Sequence, residues 1–173
     1  QVGRIYENGS LYQEIQQHAE QLQVQVQERQ RAVDALRANK ASLRRAQALA
    51  KISHVISGPD GAFESWLDTL PDMLGLDESA TPRSARDWLA LVHPDDRDMF
   101  RRHALQAAHQ GARMDFTYRV VRGDGQPLYL RQVMEPLEDE AGRGELGRWF
   151  NTIQDITKEK RAEEELHESD RRF

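Results

Sequence analysis

The feature that most constrains this sequence is a long stretch with neither glycine nor proline. It runs from Leu11 to Ser57 and is rich in Gln, Glu, Arg, Ala and Leu. Those residues lose little side-chain freedom in a helix. A helix over residues 11–50 would be about 60 Å long at ~1.5 Å per residue. A single compact domain of this size needs no such helix, so we expect part of the chain to lie outside a globular core.

Within this stretch, apolar residues recur at heptad spacing. They are Ile15, Leu22, Leu36 and Leu43. Arg29 interrupts the series, and His18 takes an accompanying heptad position, where a polar residue can set the register of two helices. The pattern predicts an imperfect coiled-coil seam and a homodimer formed through it. The alternative is a solvated helix packed on its own domain.

Charge and composition exclude several classes of function. The net charge of −5 argues against nucleic-acid binding, because little in the chain would neutralise a phosphate backbone. The lack of cysteine excludes disulfides, cysteine-ligated metals and cysteinyl–flavin photochemistry. No apolar run approaches the ~18 residues of a membrane span, and no signal-peptide core is present. We therefore expect no membrane contact by these residues and a cytoplasmic location, alone or as part of a larger, membrane-bound receptor.

After residue 50 the sequence predicts two groups of strands separated by helices. KISHVI and AFESW flank a turn at residues 57–61, and LDTLPDMLGL and SARDWLALV are typical of short helices. A longer helix is expected to open at Pro94 and to end at Gly111. The next strands are MDFTYRVV, PLYLRQVMEPL and RWFNTIQDI. Strands joined by hairpins form an antiparallel sheet, and the helices between the two groups would cover one face of it.

Four segments occur in an order and at spacings that are typical of a known family. They are LALVHPDDRDMF, FTYRVVRGDGQPLYLR, LEDEAGRGELG and DITKEKRAEEEL. Together they resemble a PAS domain with its C-terminal PAC motif, as found in multidomain bacterial sensors. The preceding YENGSLYQEIQQHAEQL resembles the last helix of a GAF domain running into a linker. The resemblance implies a signalling helix over residues 1–46, a PAS domain over 47–157 and an outgoing linker helix over 158–173.

The resemblance also implies a fold and a function. The fold would be α+β, a five-stranded antiparallel sheet with short helices on one face, preceded by a long coiled-coil-like helix. The function would be to bind a small ligand or mediate dimerisation, and to transmit a conformational signal to an output domain. That domain would be a histidine kinase of a two-component system, or a diguanylate cyclase or phosphodiesterase. This chain itself is not expected to be an enzyme. The alternative is a ligand-free structural spacer and dimerisation module.

The resemblance points to one junction and one pocket. Asp155, Ile156 and Thr157 match the family's junction motif. We expect Thr157 to cap the outgoing helix, Asp155 to bind backbone or a basic partner, and Ile156 to pack beside them, so that the three couple sheet and helix. The expected pocket lining is apolar and aromatic: Trp66, Met73, Leu74, Trp88, Phe116, Tyr118 and Tyr129.

Charged residues near the helix predicted to open at Pro94 can be explained by ion pairs within the domain. Arg119 or Arg131 can anchor an anionic ligand or pair with Asp95 or Asp96, and we favour the ion pair. Strand alternation puts Phe116 and Tyr118 on one face and Arg119 on the other, but does not say which face is covered. The acidic run at residues 138–140 carries no nucleophile or phosphate loop beside it, which argues against acid–base catalysis.

The histidines give little support for a cofactor. His103 and His109 lie near the place where some PAS relatives ligate haem, although surface placement is the commoner role of such residues. No metal site and no other cofactor is evident. A small-molecule ligand is the expected partner besides a second copy of the chain, and its identity is open.

Overall fold

The protein is described by a computed structural model over residues 2–138 and 144–171. The chain divides into two compact units, residues 1–46 and 47–173. Helix α1 spans Val2–Leu49 and has no buried residue. The heptad positions Ile15, Leu22, Leu36 and Leu43 are 57–68% exposed, so the coiled-coil seam remains a prediction. None of the described helices is both long and apolar enough to cross a membrane.

The second unit contains a five-stranded antiparallel sheet in the order β2-β1-β5-β4-β3. Its strands are β1 Ile52–Ser57, β2 Phe63–Trp66, β3 Met114–Val121, β4 Pro127–Glu138 and β5 Gly144–Asp155. The helices are α2 Thr69–Leu74, α3 Ala85–Leu91, α4 Arg97–Gln110 and α5 Thr157–Asp170. This architecture confirms the predicted α+β fold and the order of strands and helices.

One face of the sheet is buried under the helices and the other is not. Phe116, Tyr118 and Val120 are buried, whereas Thr117 on the same strand is exposed. The helices cover the buried face with Leu70 and Leu74 of α2, Trp88 of α3, and Phe100 and Ala107 of α4. Each large apolar side chain buried here contributes about 1.5–3 kcal/mol. The face that carries the aromatic side chains of β3 is therefore the inner face.

Helix α4 begins three residues later than the sequence predicted. Pro94–Asp96 forms a 3₁₀ turn, and Nδ1 of His93 accepts a hydrogen bond from the backbone N–H of Asp95 at 3.3 Å. The helix proper starts at Arg97 and, as predicted, stops at Gly111, whose φ of 58° lies in the left-handed region that favours glycine. The short turn leaves the Asp96 carboxylate directed at β3.

The turn between β3 and β4 packs directly on the end of α2. The backbone N–H of Gly123 donates to the carbonyl of Leu74 at 3.1 Å. A Cβ atom on Gly123 would lie 2.2 Å from the carbonyl oxygen of Gly75, so only glycine fits. The Arg122 side chain lies across Gly75, with Cγ 3.0 Å from the place a Cβ would take. The turn at residues 122–126 is therefore held in one position against α2.

Candidate functional site

A chain of hydrogen bonds crosses the inner face of the sheet. Trp88 Nε1 donates to the Tyr118 hydroxyl at 2.8 Å, and that hydroxyl donates to Gln132 Oε1 at 2.5 Å. Gln132 Nε2 then donates to Asn151 Oδ1 at 2.9 Å. Asn151 Nδ2 donates to the Val55 carbonyl at 3.2 Å. This buried polar chain links α3 with four of the five strands.

Because the groups of the buried polar chain are shielded from water, each of them depends on its hydrogen-bond partner within the protein. Burial raises the pKa of the Tyr118 hydroxyl far above its ordinary value, although the hydrogen bond from Trp88 acts in the opposite direction. Tyr118 therefore stays protonated and both accepts and donates. Leaving one such group without a partner costs about 1–3 kcal/mol.

A cavity of about 80 Å³ lies beside the buried polar chain. Ser57, Trp88, Gln132 and Asn151 supply its polar wall. Its apolar wall includes Phe63, Phe100, Ala104, Met134 and Ile153. Pockets for drug-sized ligands occupy ~300–1,000 Å³. The cavity as it stands has room for a guest of only a few heavy atoms.

The structure separates the predicted pocket residues into lining and core. Trp88 lines the cavity. Leu74, Phe116 and Tyr118 are buried in the core around it. Trp66 and Met73 are partly buried against that core, and the Arg83 guanidinium lies 5.6 Å from the Trp66 ring centre.

Tyr129 lies on the opposite face of the sheet, so its prediction as a pocket residue is wrong. The neighbouring residues Leu128 and Leu130 point inward, which directs Tyr129 outward by strand alternation. Its hydroxyl donates to Glu164 of α5 at 3.0 Å. Tyr129 thus belongs to the contact between the sheet and the outgoing helix.

Gln132 and Asn151 were not predicted from the sequence. A weak signal for Gln132 was available: it falls in the same alternation phase as Leu128, Leu130 and Met134 on β4, and so occupies an inward position with a polar side chain. Buried polar groups are generally hydrogen-bonded, so such a position indicates a partner across the sheet.

The start of α5 is fastened to the sheet by Asp155 and Thr157. Asp155 Oδ1 accepts from the backbone N–H of Thr157 at 2.9 Å and from its hydroxyl at 2.5 Å. Thr157 Oγ1 in turn accepts from the backbone N–H of Tyr129 at 3.0 Å. The half-buried Ile156 donates its N–H to the Tyr129 carbonyl at 2.9 Å. These contacts join the ends of β4 and β5 to the first helical residue.

The structure corrects the capping role predicted for Thr157. A capping side chain must precede the helix, and Thr157 is already its first residue. Asp155 therefore binds the free N–H at the helix start, and the Thr157 hydroxyl connects the helix to β4. The backbone N–H of Asp155 also donates to the carbonyl of Lys51 at 3.0 Å, which brings the residue before β1 into the same junction.

The predicted ion pair is present, with Asp96 as the main acid. Arg119 donates to the Asp96 carboxylate from Nε at 2.9 Å and from Nη2 at 2.7 Å, and the Arg119 backbone N–H adds a third bond at 2.8 Å. Hydrogen bonding from the Arg119 guanidinium holds the pKa of Asp96 below its ordinary value. Asp95 is 3.9 Å from Arg119 and 75% exposed. Arg131 pairs instead with Asp115, at 2.9 and 2.6 Å.

The two histidines considered as haem ligands both use Nδ1 within α4. His103 Nδ1 lies 2.9 Å from the Met99 carbonyl, and its ring stacks on Phe116 at 4.7 Å. His109 is exposed, with Nδ1 2.8 Å from the Leu105 carbonyl. Among the residues that the structure describes, no group of three or more His, Asp or Glu side chains is placed to hold a metal ion. The acidic run at 138–140 lies outside the described residues except for residue 138.

A family comparison agrees with this architecture. The family model described as "PAS fold" matches residues 63–146. That match begins at β2 and reaches the first residues of β5. The chain contains a PAS domain.

Solved PAS structures share the fold at low sequence identity. A sensory box histidine kinase/response regulator from Burkholderia thailandensis superposes with a TM-score of 0.59 at 22% identity, over 75% of this chain and 95% of that one. The N-terminal domain of a diguanylate cyclase with PAS/PAC sensor from Marinobacter aquaeolei gives a TM-score of 0.56 at 22% identity, over 64% and 99%. These likenesses establish the fold of the PAS domain.

A curated relative is much longer than this chain. The uncharacterized protein y4lL of Sinorhizobium fredii is 26% identical over 144 residues. The match covers 81% of this chain and 16% of the relative. The relative thus contains a large share of sequence that has no counterpart here.

Proposed function

We propose that this chain is a sensory relay module of a multidomain bacterial sensor. In this proposal, a change at the inner face of the PAS domain alters the position of α5, and α5 passes the change to an output domain. The observation that carries the proposal is that β4 makes both sets of contacts. Gln132 of β4 belongs to the buried polar chain, and the backbone of Tyr129, three residues away, holds Thr157 and Ile156.

The mechanism needs only small displacements. The Thr157 hydroxyl accepts from β4 and donates to Asp155 at the end of β5, so it can keep both bonds only while the two strand ends keep their spacing. Sliding of β4 against β5 would break one of them and free the first turn of α5. A change in the occupancy of the cavity, or in the upstream helix, would bias that equilibrium.

The names of the structural relatives support a regulatory role and suggest the output. One is a histidine kinase/response regulator and another a diguanylate cyclase with a PAS/PAC sensor. We therefore propose that the PAS domain controls a kinase or a cyclic-dinucleotide enzyme elsewhere in the protein and performs no catalysis itself. The cytoplasmic location remains a prediction.

The coupling is tested by Thr157→Val, which keeps the side-chain shape and removes the hydroxyl. The Tyr129 N–H then loses its acceptor, and we expect hydrogen exchange at Tyr129 and in the first turn of α5 to accelerate about tenfold, which corresponds to ~1.4 kcal/mol. Thr117→Val is the matched control, because Thr117 is exposed on the outer face of β3. Equal exchange in the two variants would contradict a role for the hydroxyl.

A second variant tests transmission from the cavity. Ala104 lines the cavity from α4, so Ala104→Val partly fills it. We expect this variant to shift the backbone NMR signals of the first turn of α5, and expect the shift to disappear when Thr157→Val is added. No shift at α5 in Ala104→Val, with clear shifts around Gln132, would show that the inner face and the helix are uncoupled.

That negative result would favour the second candidate, a structural spacer and dimerisation module. Two observations support this alternative. The cavity is only about 80 Å³, and the heptad positions of α1 are exposed. A spacer would require no ligand and no response of α5 to the cavity.

A further inference from the structure

A second, larger concavity lies on the surface between the β3–β4 turn and α5. Its volume is about 600 Å³, within the ~300–1,000 Å³ of small-molecule sites. One wall is formed by the turn and the start of β4, and the other by the first turns of α5. Four basic side chains line this surface cleft: Lys51, Arg122, Lys158 and Arg161.

The acidic side chains of the surface cleft are largely engaged by other groups. Asp155 Oδ1 accepts two hydrogen bonds from Thr157. Asp124 Oδ1 accepts from the backbone N–H of Gln126 at 3.0 Å. Glu165 is the third acid in the lining. Two of the three acids thus also stabilise the turn and the helix start, and four basic side chains against three acids leave the lining with a net formal charge of +1.

Three of the four basic side chains, in contrast, lack close partners. In the described part of the chain, Lys51, Lys158 and Arg161 make no side-chain hydrogen bond or ion pair. Lys158 and Arg161 are three residues apart on α5 and so share a face of the helix. They lie in its first turns, where the helix dipole adds partial positive charge. The surface cleft therefore combines fixed basic charge with the positive end of a helix.

Arg122 is held in a defined position beside the surface cleft. Its Nε is buried and has no hydrogen-bond acceptor among the described residues. The carboxylate of Asp124 is 3.7 Å away, too far for a hydrogen bond. The side-chain stem lies across Gly75, which restricts the positions open to the guanidinium. The Arg122 side chain is 41% exposed and lines the surface cleft, so a ligand oxygen would meet its exposed atoms and not the buried Nε.

We propose that the surface cleft binds a small, soluble, phosphate-bearing molecule. The Arg122 guanidinium would donate to the phosphate oxygens in the planar geometry that suits this group. Lys51, Lys158 and Arg161 would contribute charge around it. The proposal concerns binding alone and does not depend on the relay function. A ligand here would contact both the β3–β4 turn and α5.

Titration of the ¹⁵N-labelled chain with inorganic pyrophosphate at constant ionic strength tests the proposal. We expect saturable shifts at residues 122–126 and 157–162, with a dissociation constant in the millimolar range or tighter. Arg122→Gln should weaken binding at least about tenfold. Arg101→Gln is the matched control, because Arg101 is an exposed arginine on α4 that pairs with Asp98, and binding should be unchanged.

Arg161→Gln separates loss of binding from loss of folding. Arg161 is exposed, so its replacement should leave the PAS domain intact. It should also weaken pyrophosphate binding. Shifts that sodium chloride reproduces at the same ionic strength would overturn the proposal, as would equal affinity in Arg122→Gln, Arg161→Gln and the unmodified chain. Binding to phosphatidylglycerol vesicles is measured as the last comparison. Binding to vesicles without binding to pyrophosphate would assign the surface cleft to lipid headgroups and overturn the soluble ligand.

Discussion

At the scale of single residues, two adjacent acids show how geometry separates similar side chains. Asp96 accepts three hydrogen bonds from Arg119, and its side chain is 16% exposed. Asp95 is 75% exposed and 3.9 Å from the same guanidinium. The backbone direction of the 3₁₀ turn before α4 decides which of the two carboxylates reaches β3. Asp96 therefore holds the start of α4 to the sheet.

We predict that Asp96→Ala lowers the free energy of unfolding by about 2 kcal/mol, because it leaves a partly buried guanidinium without its acceptor. Asp95→Ala should cost less than about 0.5 kcal/mol, as exposed ion pairs contribute little. Urea unfolding of the two variants measures both values. Equal losses would contradict the assignment of Asp96 as the main partner.

The ion pair between Asp96 and Arg119 predicts that the stability of the fold depends on pH. The Arg119 guanidinium lowers the pKa of Asp96 in the folded protein. The ionised carboxylate therefore contributes stability above the unfolded pKa of about 4, and the contribution is lost as pH falls through the folded pKa. Stability of the unmodified chain should thus decline more steeply below pH 4 than stability of Asp96→Ala. Parallel acid profiles would show that Asp96 makes no such contribution.

At the scale of elements, the contact between the β3–β4 turn and α2 is the tightest constraint described. We predict that Gly123→Ala costs about 2–3 kcal/mol, because the new Cβ would meet the Gly75 carbonyl oxygen at 2.2 Å and backbone must move. Gly111→Ala is the control: a Cβ there meets nothing within 4 Å, and only its φ of 58° is unfavourable, at about 1 kcal/mol. Thermal unfolding should rank Gly123→Ala clearly below Gly111→Ala.

The sequence predicted elements better than it predicted contacts between them. The strand and helix order carried local signals, such as the stop at Gly111 and the turn at residues 122–125. The capping role was assigned to Thr157 because a shift of one residue decides which side chain precedes α5, whereas Asp155 binds backbone as expected. The buried polar chain was missed for a different reason. Trp88, Tyr118, Gln132 and Asn151 are separated by 30, 14 and 19 residues, so no local pattern connects them.

At the scale of the whole molecule, the exposed heptad positions of α1 favour association with a second helix. Helices in proteins draw most of their stability from packing against other elements, and α1 buries none of its residues. Each leucine covered at the seam would contribute about 1.5–3 kcal/mol. We therefore propose that two copies associate through Ile15, Leu22, Leu36 and Leu43.

Replacement of Leu22, Leu36 and Leu43 by glutamine should convert a dimer to a monomer in sedimentation equilibrium. The matched control replaces three residues outside the seam, Val2, Tyr6 and Val24, which are 53–78% exposed. That control should remain a dimer. The same mass for both triple variants, whether monomer or dimer, would contradict the seam.

The buried polar chain has a further consequence, because its hydrogen atoms can be ordered in one way only. The indole of Trp88 can only donate, and the Val55 carbonyl at the other end can only accept. Every hydroxyl and amide between them must therefore point from α3 towards β1. A guest that inserts itself between two links must accept on one side and donate on the other, as a hydroxyl or an amide does. A carboxylate would break the sequence of donors, so we expect any guest of the inner face to be selected by the direction of its hydrogen bonds as well as by its size.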